Sequence, residues 1–218
     1  IVPLTLKQGA LVNDFGGVGM HPEASDSFDL FDDVNAPTFM DYLEMHFNHP
    51  EHFVKHFARD VVKSRDEHVW SFDVSANQPS EISLQWDNSA FGNADHELVL
   101  VDEMHQRIVD MRAESQYAFI PGISSRFKVY FGRDVRKKIM PSGVSLGTPY
   151  PNPSDSQVSI PYTIADHISS ARVQLEIYDL MGRKLETLVD HEAAPGFYTD
   201  RWESKSGIPN GIYTCKLV

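Results

Sequence analysis

Four aspartates crowd one short stretch of the chain: Asp26, Asp29, Asp32 and Asp33. Carboxylate oxygens are hard donors, and Ca²⁺ accepts about six to eight of them in a flexible shell. Their spacing of three, three and one lacks the order of an EF-hand loop and its closing bidentate Glu. Calcium binding by these four therefore stands beside the plainer reading, a solvated acidic loop. A second group is His46, His49, His52 and His56. On a helix, His52 and His56 would share one face, a zinc-binding spacing. No His-Glu-x-x-His pattern frames them, no second cysteine joins Cys215, and Phe53 and Phe57 interrupt with core-type rings. The preferred reading is of exposed loop histidines.

Catalytic frames are missing. The chain has no Gly-x-Ser-x-Gly elbow and no Gly-x-Gly-x-x-Gly, so neither an α/β-hydrolase nucleophile nor a dinucleotide cradle is expected. Phe15-Gly16-Gly17-Val18-Gly19 lacks the lysine of a phosphate-binding loop. No carboxylate pair sits in a frame recognisable as acid and base. Enzymatic activity is not expected of these residues, nor any cofactor besides the Ca²⁺ that the aspartates suggest. Cys215, the single cysteine, lies between Tyr213 and Leu217; it reads as a small buried apolar residue, and no intrachain disulfide is possible. Trp70, Trp86 and Phe91 could form a platform for a sugar ring, although alternation assigns the two tryptophans to a core.

The elements that carry these residues read as strands. Trp70, Phe72 and Val74 share a face by their spacing of two, as do Ile82, Leu84 and Trp86, and Phe127, Val129 and Phe131; a period of two marks a half-buried strand. Glu97 to Asp102, Ile108 to Arg112 and Gln116 to Ile120 complete the set. Val2 to Leu6 contains Pro3, which cannot donate to a ladder and demotes this strand to an edge or an end. Gly9 to Pro37, with Asn13-Asp14-Phe15-Gly16-Gly17, reads as one long turn-rich loop. In Asp41 to Pro50, Leu43, Met45 and Phe47 alternate while Phe39, Leu43 and Phe47 fit a helix face; the strand is preferred because its surroundings are all β. Arg133 to Gly143 is basic and carries Pro141 and Gly143, a linker composition.

Beyond it, Val158, Ile160, Tyr162 and Ile164 alternate, as do Val173, Leu175 and Ile177. Gly182 follows Asp179-Leu180-Met181 and supplies the positive φ of a tight hairpin. Leu185 and Leu188 break alternation in the return strand, which requires a bulge. Gly196 and Pro209-Asn210-Gly211 punctuate two further strands. The prediction is an all-β chain of two tandem antiparallel β-sandwiches, Ig-like or jelly-roll-like: an acidic accessory domain over 1–132, a linker over 133–141, and a second sandwich over 142–218.

Charge divides along the same line. Residues 1–132 hold 21 Asp and Glu against 9 Lys and Arg, whereas residues 133–218 hold 10 of each, so the net charge of −12 belongs to the front. Such a surface repels nucleic acid and anionic membrane. No apolar stretch reaches the roughly 18 residues a spanning helix needs. The opening residues lack a signal-peptide pattern and an initiating Met, so the chain reads as a mature part of a longer polypeptide.

The run Tyr150-Pro151-Asn152-Pro153, then Ile177-Tyr178-Asp179, Gly182-Arg183, Leu188, Gly196, Trp202 and Gly211-Ile212-Tyr213 resembles the type A C-terminal sorting domain of type IX secretion cargo. It is also similar to the Ig-like domain of flagellar hook-capping proteins. The resemblance implies export across the outer membrane of a Bacteroidota-like bacterium, with the outer-membrane secretion machinery as partner and an extracellular or outer-surface location. Members of that family continue past the Gly-Ile-Tyr strand, whereas this chain stops at Val218; truncation, processing or a strand supplied from elsewhere would each account for that. Residues 12–37, with later segments at Trp70-Ser71-Phe72, Leu98 to Asp102, Val109 to Arg112 and Tyr117 to Phe119, resemble a module that precedes such domains in secreted proteins of the same group, for which the resemblance implies architecture alone.

The expectation is a non-catalytic C-terminal part of a secreted or surface-attached protein. Two alternatives accompany it. The chain could be a subunit of an extracellular filament or adhesin that exchanges strands with neighbouring copies through Val2 to Leu6. The front domain could instead bind calcium or a glycan.

Overall fold

A computed structural model describes residues 1–35, 40–89, 95–104, 107–121, 125–203 and 208–218. Of the residues named above, Pro37, Phe39 and Phe91 lie outside them. The chain is all-β and forms two compact units, one built from residues 1–104 and 108–138 and a second containing Ile139–Val218.

The first unit contains β1 (Val2–Gln8), β2 (Leu11–His21), β3 (Leu43–Asn48), β4 (His56–Phe57), β5 (Arg59–Lys63), β6 (His68–Ala76), β7 (Ile82–Trp86), β8 (Glu97–Asp102), β9 (Arg107–Asp110), β10 (Gln116–Phe119) and β11 (Arg126–Gly132). Its five-stranded sheet runs β10-β7-β1-β2-β5 and its six-stranded sheet β4-β3-β6-β11-β8-β9. Alternating residues of both sheets meet in one core: Leu4, Leu6, Ile82 and Leu84 from the first, Phe47, Phe72 and Phe127 from the second. The ring centroids of Phe72 and Phe127 lie 5.3 Å apart, and those of Phe47 and Phe72 5.2 Å, within the range where offset ring pairs attract. Among the buried polar side chains, Tyr117 donates to Asp102 at 3.0 Å, and Gln8 Nε2 donates to the carbonyls of Gln78 and Ser80.

Two expectations fail in this unit. The strand Val2–Gln8 is not an edge but lies between β2 and β7. Its ladder to β7 begins only at Leu4, so Pro3 sits where a single neighbour, β2, pairs with it. The supposed long loop from Gly9 contains the 11-residue strand β2. Its glycines mark close approach rather than a turn. A Cβ on Gly16 would meet the Leu4 carbonyl oxygen at 2.6 Å, and one on Gly19 would meet Ile1 at 2.8 Å. β2 also pairs in parallel with β5, an exception to the antiparallel pattern. Asp41 to Pro50 does contain the preferred strand, β3, with Leu43, Met45 and Phe47 inward. The stretch read as linker carries a short helix, α1 (Val135–Ile139).

The second unit contains β12 (Ser145–Leu146), β13 (Gln157–Ile164), β14 (Ala171–Tyr178), β15 (Lys184–Ala193), β16 (Gly196–Glu203) and β17 (Thr214–Leu217). They form two three-stranded sheets, β12-β13-β16 and β15-β14-β17. Ile160, Tyr162, Ile164 and Trp202 of the first sheet face Val173, Leu175 and Ile177 of the second in a shared core. Gly182 adopts φ 77° in the β14–β15 turn, closed by Gly182 N donating to Asp179 O at 3.0 Å. The bulge demanded by Leu185 and Leu188 is two bulges. Leu175 and Glu176 pair with Val189 and Thr187, skipping Leu188, and Ile177 and Tyr178 pair with Glu186 and Lys184, skipping Leu185. Gly211-Ile212-Tyr213, expected to be strand, precedes β17. No helix among the described residues is long and apolar enough to cross a membrane.

Candidate functional site

The C-terminal unit carries a cleft of about 550 Å³ lined by residues far apart in sequence: Pro151, Asn152 and Pro153, Ile177 on β14, Trp202 on β16, and Ile212 and Tyr213 before β17. The proline turn is pinned to β13 by paired backbone bonds between Tyr150 and Ser159 at 2.9 and 2.7 Å. On the opposite wall the Tyr213 hydroxyl donates to the Pro209 carbonyl, fixing the bend four residues earlier. Tyr198 repeats the device on Ala194 at 2.7 Å. The Tyr213 ring meets Trp202 edge-on at 5.2 Å.

These constraints hold Ile212 outward, 70% exposed, at the mouth of the cleft. Trp202 is 8% exposed, and its indole N–H has no hydrogen-bond partner among the described residues. The titratable lining residues are Asp155, Tyr213 and Cys215, and burial pushes the Cys215 thiol up. A thiol so shifted is a poor nucleophile.

The segments that meet here are those that carry the sequence resemblance, and comparison with known families agrees with them. Residues 148–218 match the family described as secretion system C-terminal sorting domain. Residues 148–218 are a type IX sorting domain. The chain is thus part of a secreted cargo of the type IX system, exported to the cell surface or beyond, and the secretion machinery is its partner. No curated protein and no solved structure matches the chain. Outside the cleft, the sorting domain holds its charges in surface pairs. Lys184 donates to Glu176 at 2.8 Å, Arg183 to Asp179 at 3.0 Å, and Arg172 to Asp190 at 2.8 Å. Each pair keeps its carboxyl below the usual range.

In the front unit, the four candidate calcium ligands have separate duties. Asp29 accepts from the backbone N–H groups of Ser25 and Phe31 at 2.7 and 2.9 Å. Asp32 accepts from those of Asp29 and Val61 at 2.9 and 2.8 Å. Asp26 pairs with Arg65, and Asp33 with Arg59 at 3.3 Å. Backbone capping of this kind shapes the loop after β2 and ties it to β5. Trp70 and Trp86 are 3% and 5% exposed, inside the core.

Three of the four histidines, His46, His49 and His52, are half-buried, whereas His56 is exposed as expected. His46 lies on β3, 3.1 Å from both Ser75 Oγ and Glu44. His56 begins β4 and touches Asn48 Oδ1 at 2.9 Å. His49 and His52 occupy the β3–β4 loop with side chains 19% exposed. Among the described residues, His49, Glu51 and His52 bring their donor atoms within 4.8 Å of one another. Sequence reading missed Glu51 and Asp60 here. The segment Glu51-His52 offered a cue, but Asp60, eleven residues beyond His49, is brought to it only by the fold.

Proposed function

We propose that the chain is the non-catalytic C-terminal part of a larger exported protein, with residues 142–218 directing export and attachment to the outer surface. The match over residues 148–218 carries this reading. The convergence of its motif residues on one apolar cleft supports recognition by folded surface rather than by an extended peptide. Filament assembly by exchange of Val2–Leu6 has lost its motivation, because that strand lies inside a sheet with Leu4 and Leu6 buried.

The test is a fusion of residues 142–218 to a periplasm-directed fluorescent reporter, expressed in a type IX-competent bacterium. The reporter should reach the surface or the medium, and deleting 142–218 from the native protein should hold the cargo in the periplasm. A reporter retained inside, or export unchanged by the deletion, would refute the reading. Ile212→Asp should impair export while leaving the fold intact, because Ile212 already faces solvent.

A further inference from the structure

We propose that His49, Glu51 and His52 form a metal site of the zinc class in the front unit, positioned by the buried carboxylate of Asp60. The β3–β4 loop is closed by His49 N donating to Lys55 O at 2.8 Å and His52 N donating to His49 O at 3.1 Å. This closure turns the three side chains toward one point. His49 Nδ1 is 3.1 Å from Glu51 Oε1, and His52 Nε2 is 3.5 Å from the same oxygen. A tetrahedral zinc ion with bonds of roughly 2.0–2.1 Å sets its donors about 3.3 Å apart. The two distances bracket that edge.

The proton count on His49 points the same way. Its Nε2 lies 3.2 Å from Asp60 Oδ2, a side chain 8% exposed. A neutral imidazole has one N–H. Donated to Asp60, it leaves the Nδ1 lone pair facing the Glu51 carboxylate, a repulsive contact unless a cation stands between them. A carboxylate behind a histidine whose other nitrogen faces the ion is the usual support of a metal-bound imidazole. The rings are also held in place: His49 stacks on Phe57 at 4.4 Å and on His52 at 5.2 Å. His52 Nε2 donates to the Asp26 carbonyl at 2.7 Å; metal binding at this nitrogen breaks that bond and requires the neutral ring to carry its one proton on Nδ1 instead.

Two imidazoles and one carboxylate favour zinc, copper or nickel over calcium and magnesium, which take oxygen donors. With three protein ligands, a water completes the tetrahedron. The acidic front half draws divalent cations toward it. The site pins the hairpin loop from within and is independent of the sorting function.

The full chain, stripped with EDTA, is titrated near neutral pH with Zn²⁺ by calorimetry and by competition with a chromophoric chelator, and separately with Ca²⁺. One Zn²⁺ should bind per chain, and Ca²⁺ should not compete. His49→Gln and His52→Gln should each weaken Zn²⁺ binding at least tenfold, and Asp60→Asn by about tenfold to a hundredfold. His167→Gln with His191→Gln, in the other unit, should change nothing. Circular dichroism without metal checks folding; should Asp60→Asn unfold, the two histidine variants decide alone. Absence of saturable Zn²⁺ binding, Zn²⁺ binding untouched by both histidine variants, or equal competition by Ca²⁺ would overturn the site.

Discussion

The front unit and the sorting domain differ in what shifts their ionisable groups. Beside pairs such as Asp26 with Arg65, the front unit covers several: burial raises the Asp60 carboxyl and lowers the His46 and His68 imidazoles. The sorting domain leaves it in pairs with Lys and Arg, where hydrogen bonds from Lys184 and Tyr178 lower Glu176 and those from Arg172 and Gln174 lower Asp190. Covered groups resist ionisation, whereas paired groups favour it. The two regions should therefore fail under different conditions although both are β-sheet structures with apolar cores.

Core truncation gives the largest effect. Phe127→Ala, beneath Phe72 and Phe119, should cost about 3–5 kcal/mol, and Leu175→Ala in the sorting domain about 2–5 kcal/mol. Hydrogen exchange read by peptide fragment should show lost protection confined to the altered unit; equal loss in both would break the contrast. Gly16→Ala comes next, at about 1–3 kcal/mol, because the added methyl would collide with the Leu4 carbonyl. Denaturant melts should show the cost without a change of fold.

Tyr162→Phe is smaller. It removes the hydroxyl that donates to Asp200 at 2.9 Å, at a cost of about 1–2 kcal/mol. The phenol is raised above its ordinary value by burial and by Asp200, so it should stay protonated through an alkaline absorbance titration of the folded protein.

Mild acid gives the smallest effect and the clearest separation. His68 is lowered in the fold, first by burial and then by Arg65. Its contribution is complete above the unfolded value near 6.5 and is lost as pH falls from there to the folded value. Glu176 and Asp190 are lowered by pairing, so their contribution holds until pH falls below the ordinary carboxylate range. Fragment-resolved exchange between pH 7 and 5 should loosen the front unit first. His68→Gln should flatten that response, and an unchanged slope would remove His68 from the account.

The sorting domain was largely legible because its signals are local. Alternation at Val173, Leu175 and Ile177 gave β14, the glycine at 182 gave the turn, and the misfit of Leu185 and Leu188 announced bulges whose places only the pairing register could settle. In the front unit the decisive facts are long-range. Gly16, Gly17 and Gly19 look like turn residues until the Leu4 backbone and Ile1 are seen against them. Pro3 looks like an edge marker until the ladder to β7 is seen to begin one residue later. His49 meets Asp60, eleven residues on, once the chain has passed through β4 into β5. Asp29 and Asp32 accept from backbone N–H groups, a duty that a sequence does not display.

The paired irregularities at Leu185 and Leu188 fall on β15, the outermost strand of its sheet. Extra residues there twist and interrupt the row of main-chain donors and acceptors that a regular border offers. Molecules accumulating side by side outside a cell thus find no straight template along this border, and crowding does not zip them into a continuous ribbon.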